Sequence, residues 1–164
     1  MELLEGWHKS ITTSNQRLTR VAWASSDMVS NIIKFGDVIV IDTTQKKNCF
    51  NMPLIMCVVM DSDGKLRVAG AALVSSEDNA SFHWFCIFLI RLGWTPKVVF
   101  SDGDVAISST LAIIKGCVHY LCIWHIIKNL RKNCLNALGD QKNEFISDFR
   151  ALRNIQSKLK FVEE

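Results

Sequence analysis

Two aspartates hold the positions in this sequence best suited to phosphoryl chemistry. Asp42 follows the continuous β-branched run Val38-Ile39-Val40-Ile41, and Asp102 follows Val98-Val99-Phe100-Ser101. Runs of this kind read as strands buried on both faces. In open α/β sheets, ligands and chemistry gather at the carboxyl ends of such strands. Two carboxylates held close together repel unless a cation lies between them. Mg²⁺ or Mn²⁺ prefers oxygen ligands and keeps water or phosphate oxygens in its remaining positions. Two such ions about 4 Å apart activate a nucleophile and stabilise the leaving oxygen of a phosphodiester. Asp42 and Asp102 are therefore the candidate catalytic and metal-binding residues. Strand-end aspartates also form turns and cap helices; Asp104 reads as such a cap, and Asp102 is open to the same reading.

A second constellation lies in the stretch Cys117, His119, Cys122, His125. Cys122 and His125 are three apart and share a face on the first turn of a helix. Both residue types suit zinc, but strand alternation sets Cys117 and His119 on one face and Cys122 on the other. A closed tetrahedral site from all four is awkward, so structural zinc is not expected. Instead, either Cys122 packs in the core while His125 hydrogen-bonds near the sheet edge, or both are accessory residues that help shape the adjacent active site. Glu77 is a further accessory candidate, just ahead of a helix, where it either joins the metal site or complements the helix dipole. From Lys115 to Lys142 there are five Lys or Arg residues and one acid, Asp140. Lys128, Arg131 and Lys132 fall at i, i+3, i+4 on one helix face. That face is either simply solvated or a phosphate contact, which adds affinity without sequence information.

The elements that must position these residues follow from pattern. Residues 1–20 are polar and read as a lead-in. A core spans 21–140, and 141–164 reads as a C-terminal helix. The first core strand, Val38 to Ile41, ends at Asp42. A second runs from about Met52 to Met60, and Asp61-Ser62-Asp63-Gly64 supplies an Asp-Gly hairpin turn into a third, Leu66 to Val74. Ser75 and Asp78 suggest a capping box for a helix to about Leu92, with Phe82, Phe85, Cys86 and Leu89 on its apolar face. Val98 to Phe100 is a short strand, Asp104 opens a helix to about Lys115, and Val118 to Leu121 is the fifth strand. A long helix, Cys122 to Leu138, is closed by Gly139. This order predicts an α/β domain of ribonuclease H-like type: a five-stranded mixed sheet, its first three strands an antiparallel meander, with helices on both faces.

Composition agrees. The 164 residues are 49% hydrophobic and 21% charged, which argues against disorder. The formal net charge of +3 is too small to demand a polyanionic partner by itself. No apolar run approaches the ~20 residues a bilayer requires, so no membrane partner is expected. No basic leader runs into an apolar stretch, and the six cysteines read as reduced, buried hydrophobes.

Four blocks in order resemble the Mutator-like element (MULE) transposases. Phe35-Gly36-Asp37-Val38 through Ile41-Asp42-Thr43-Thr44, with Lys46, Asn48 and Pro53-Leu54, is similar to that family's first catalytic block. Glu77 with Ser81-Phe82 and Trp84 resembles its acid-x-x-x-Ser-Phe-x-Trp helix. Phe100-Ser101-Asp102-Gly103-Asp104-x-Ala106 resembles its second block. His119-x-Leu121-Cys122-x-Trp124-His125-x-x-Lys128-Asn129 resembles its Cys-x-x-His block. Four ordered blocks are far more specific than any one alone.

The resemblance implies a three-acid, two-metal mechanism of DNA cleavage and strand transfer, with Asp42 and Asp102 as the first two acids and Mg²⁺ or Mn²⁺ as cofactor. It implies DNA, in the form of transposon ends, as partner of Lys128, Arg131 and Lys132. It implies a nuclear location and leaves room for a homo-oligomer. The family's third acid is a glutamate beyond a large helical insertion. Glu144, Glu163 and Glu164 do not stand in that context, so the chain is expected to be truncated before that point and inactive alone, with 141–164 the start of the insertion. Gln45 departs from the family, which has an aromatic residue there. The alternative is a domesticated, non-catalytic DNA-binding regulator of transcription, the fate that plant relatives of the far-red-impaired-response type illustrate. A cellular nuclease sharing the fold is a third.

Overall fold

The computed structural model describes residues 6–44, 48–133 and 137–155. The chain divides into two compact units on either side of the Cys122–Ile123 bond. In the first unit a β-hairpin, β1 (Trp7–Ser14) and β2 (Arg17–Ser25), leads into helix α1 (Ser26–Phe35). Then follow β3 (Val38–Thr44), β4 (Leu54–Met60), β5 (Leu66–Val74), α2 (Asn79–Arg91), β6 (Val98–Ser101), α3 (Val105–Ala112) and β7 (Val118–Leu121). The second unit holds α4 (Ile123–Asn133), a short 3-10 turn (Gly139–Gln141) and α5 (Lys142–Arg153).

The architecture is α/β with one mixed sheet of seven strands, ordered β1-β2-β5-β4-β3-β6-β7. The five strands expected from pattern are all present, and the meander β3-β4-β5 is antiparallel throughout. The two additional strands replace the expected lead-in. Asn15 and Gln16, both at positive φ (50° and 61°), make a two-residue turn whose twist suits a hairpin. The turn lacks the glycine that usually announces such a hairpin. β1 is polar and largely exposed, so it carries no alternation to read. β2 does alternate, with Ala22 and Ala24 fully buried. β2 then pairs with β5, extending the meander by two strands.

Local chemistry explains the helices. Ser25 caps α1, its hydroxyl accepting from the Met28 N–H at 3.3 Å. Asp78, rather than Ser75, caps α2, accepting from the Ser81 N–H at 2.8 Å. Phe82, Phe85, Cys86 and Leu89 are all buried as the spacing requires. α2 lies so close to β5 that a Cβ at Gly70 would stand 2.7 Å from Leu89 Cδ2. Asp104 caps α3 through the Ala106 N–H at 2.7 Å. At the β4–β5 turn, Asp61 accepts from the Asp63 and Lys65 N–H groups and from Arg67 Nε at 2.8 Å. The Arg67 hydrogen bond, with those from the backbone, holds the Asp61 carboxyl below its ordinary range. Helices α1, α2 and α3 and strands β2 to β6 contribute to one continuous buried cluster. Cys57 and Cys86 lie in it, and burial pushes both thiols up, Cys86 to about 12. Cys49, by contrast, is exposed, and Cys134 lies outside the described residues.

Trp94 is the largest fully buried side chain, and its indole N–H donates to the Gly36 carbonyl at 2.8 Å. Trp94→Phe removes ring volume and orphans that carbonyl. It should lower unfolding free energy by about 2–4 kcal/mol. Urea denaturation followed by circular dichroism measures it; a loss under about 0.5 kcal/mol, the range of neutral surface changes, would show the contact to be dispensable.

Candidate active site

β3 and β6 are adjacent parallel strands, registered Val38–Val98, Ile39–Val99 and Val40–Phe100. The pairing begins where the Asp37 carbonyl accepts from both Lys97 and Val98 N–H groups, each at 2.9 Å. The pairing ends at Val40–Phe100; Asp42 lies two residues further along β3, and Asp102 two residues further along the chain, just past β6. Neighbouring strands lie about 4.8 Å apart. Alternation assigns the faces within the strands: Ile39, Ile41, Val99 and Ser101 are buried on one side, so Asp42 belongs to the other. Asp42 is half-buried and belongs to β3 itself, which continues to Thr44 with Asp42 opposite Met56. It does not terminate the strand as its place after the β-branched run suggested. Asp102 is exposed, in the first position after β6.

The loop after β6 is tightly constrained. Asp102 Oδ1 accepts from the Asp104 N–H at 3.1 Å, so this carboxylate also shapes its own turn. Gly103 has φ +83°, and a Cβ there would stand 2.5 Å from Leu121 Cδ2. Beneath it the buried Ser101 Oγ shares a 2.7 Å hydrogen bond with His119 Nε2 and accepts from the Gly103 N–H at 3.3 Å. Parallel registry with β7 makes this possible, because Val99 lies opposite His119 and Ser101 opposite Leu121. Burial pushes the His119 imidazole below its ordinary value, opposed by the Asp102 charge. On the other face Phe100 and Tyr120 stack, ring centroids 5.8 Å apart.

The remaining sequence candidates fall as follows. Glu77 is half-buried in the turn before α2, one residue ahead of the capping Asp78. Cys117 and Cys122 flank β7, both half-buried, and the Cys122 N–H donates to the Ser101 carbonyl at 2.6 Å. His125 lies in the first turn of α4, its ring edge-on to Trp124. Among the described residues no group of three or more His, Cys, Asp or Glu is placed to hold a metal ion. Lys128, Arg131 and Lys132 are exposed on α4. Lys128 Nζ stands 4.7 Å from the Trp124 ring centroid. Gln45 and Lys46 lie outside the described residues. Ser101, Trp124 and Arg150 were not apparent as candidates. Trp124 had a signal, an aromatic four residues ahead of a lysine in a basic stripe.

Residues 38–129, more than half of the chain, match the MULE transposase domain, and the chain belongs to that family. Its relatives include the Arabidopsis thaliana proteins FAR1-related sequence 5, 27% identical over 92% of this chain, and FAR1-related sequence 11, 26% identical over 90%. FAR1-related sequence 7 is 26% identical over 80%. The chain spans about a fifth of these relatives' length, at 19%, 22% and 18%. Among the described residues no helix is long and apolar enough to cross a membrane.

The lowered His119 value fixes a pH dependence. The unfolded state binds its proton near the ordinary value of 6.5, while the folded state resists it. Stability is therefore full above pH 6.5 and falls as pH drops through the folded value. Thermal melts between pH 8 and pH 5 should show this loss, and His119→Asn should flatten it. An unchanged slope in that variant would remove His119 as its source.

Proposed function

We propose that this chain is the DNA-acting core of a MULE-type transposase lineage, ribonuclease H-like in fold, working on transposon ends in the nucleus. Asp42 and Asp102 are its metal-binding and catalytic pair. The observation that supports this reading is the β3–β6 register, which, continued two residues past its last pair, would set the two acids level on one face. The donors fit: two carboxylates are hard oxygen ligands, suited to Mg²⁺ or Mn²⁺. When bound, the ions lower the cost of forming a hydroxyl nucleophile and of releasing the leaving oxygen. The protein's own contribution is preorganisation. Backbone pairing fixes the Asp42 side of the site, and the Asp102–Asp104 turn with Gly103 fixes the other, so little ordering remains when charge develops. Lys128, Arg131 and Lys132 hold the DNA backbone, which adds affinity without reading sequence.

A non-catalytic DNA-binding regulator derived from a transposase is the second reading. It is favoured by the relatives, which carry the name FAR1-related sequence and so point to the plant group for which the family resemblance implies domestication.

Calorimetric titration with Mn²⁺ tests the pair. Asp42→Asn and Asp102→Asn should each weaken binding at least about tenfold, the least that loss of even an outer partner commonly causes. Binding unchanged in both variants would sink the metal site. Mn²⁺-dependent nicking of supercoiled DNA, abolished by either substitution, separates the catalytic reading from the regulatory one.

A further inference from the structure

The second unit carries a feature that the metal pair does not use. Trp124, Ile127, Lys128 and Arg131 stand at i, i+3, i+4 and i+7, one stripe of α4. Together with Arg150 of α5 they line a cavity of about 340 Å³. The lining holds three cations, one indole, one aliphatic side chain and no carboxylate. Lys128 lies against the Trp124 ring, yet the indole is still 60% exposed. Lys128, Arg131 and Arg150 are exposed as well.

A solvated helix face accounts for exposed Lys and Arg. It does not account for a large aromatic left open in the middle of them, since exposed apolar surface has no stabilising return in water. Aromatic surface ringed by cations matches one polymer well. Single-stranded nucleic acid offers unstacked base faces for the indole and phosphates for the cations. A duplex offers only its phosphates, because its bases already stack on one another. A guanidinium from each of two helices, Arg131 and Arg150, suits the bidentate recognition of a phosphate.

We propose that the Trp124–Lys128–Arg131–Arg150 cavity is a binding site for an unpaired nucleotide of single-stranded DNA, the base stacked on Trp124 and its phosphate held by Arg131 and Arg150. This rests on the DNA-acting reading for the identity of the polymer, but not on the metal pair. A strand opened at a transposon end presents such a nucleotide.

Fluorescence anisotropy of the whole chain with a labelled twelve-residue oligothymidylate, in EDTA, tests it. Excluding metal makes the result independent of Asp42 and Asp102, so either idea can fail without the other. Trp124→Ala should weaken single-strand binding at least about fivefold, and should weaken binding to a duplex of equal length much less. Trp124→Phe should retain most of the affinity. Arg150→Gln should weaken binding and reduce the slope of log affinity against log salt by about 0.7. Circular dichroism checks that each variant folds; should Trp124→Ala not fold, Arg150→Gln decides. Wild-type affinity in Trp124→Ala or in Arg150→Gln, or equal losses for single strand and duplex, would overturn the proposal.

Discussion

The parallel pairing of β3 with β6 is the constraint on which the rest of the first unit turns. β3 arrives from the meander and β6 from the far side of α2, so nothing in the chain's local order brings them together. The contact is set at its start. The Asp37 carbonyl takes both N–H groups of the Lys97–Val98 step, and Trp94 anchors the approach by its hydrogen bond to Gly36. A parallel ladder locked at one end has no freedom to slip, because a one-residue shift would turn Ile39 and Ile41 out of the core. That same lock decides which residues stand level at the other end.

Much of this was legible in the residues. The β-branched run before Asp42, the Asp61–Gly64 turn and the Phe82–Leu89 spacing each have one physical reading, and each element formed where expected. The misses have causes as well. β1 is exposed and polar, and its turn uses Asn15 and Gln16 where a glycine would have given it away. β3 outlasts Asp42 because β4 keeps pairing with it through Thr44–Leu54, a tertiary partner that no local pattern contains. The Ser101–His119 bond depends on register between two strands separated by α3. A sequence reading could place His119 among possible metal ligands but could not find its neighbour.

The loop after β6 shows how closely structure and chemistry share residues here. Asp102 holds the Asp104 backbone, Asp104 caps α3, and Ser101 connects the turn to His119. A carboxylate that also accepts a backbone N–H keeps lone pairs for a cation while its swing is limited. Gly103 is the cost of that compact turn, since its positive φ and the nearness of Leu121 leave no room for a side chain. The turn-forming role of this aspartate is thus compatible with the metal role proposed for it.

The two units are governed by different physics. In the first, β3 and β6 are held by a backbone ladder, whose hydrogen bonds bulk salt barely reaches. In the second, Lys128, Arg131 and Arg150 are exposed, and their attraction to a polyanion is screened over roughly 8 Å at physiological ionic strength. Stacking on Trp124 belongs to neither regime, because it depends on an open π face and hardly on salt. Ionic strength therefore acts as a dissecting variable: it separates what the cations contribute from what the indole contributes, and leaves the β3–β6 register as it was.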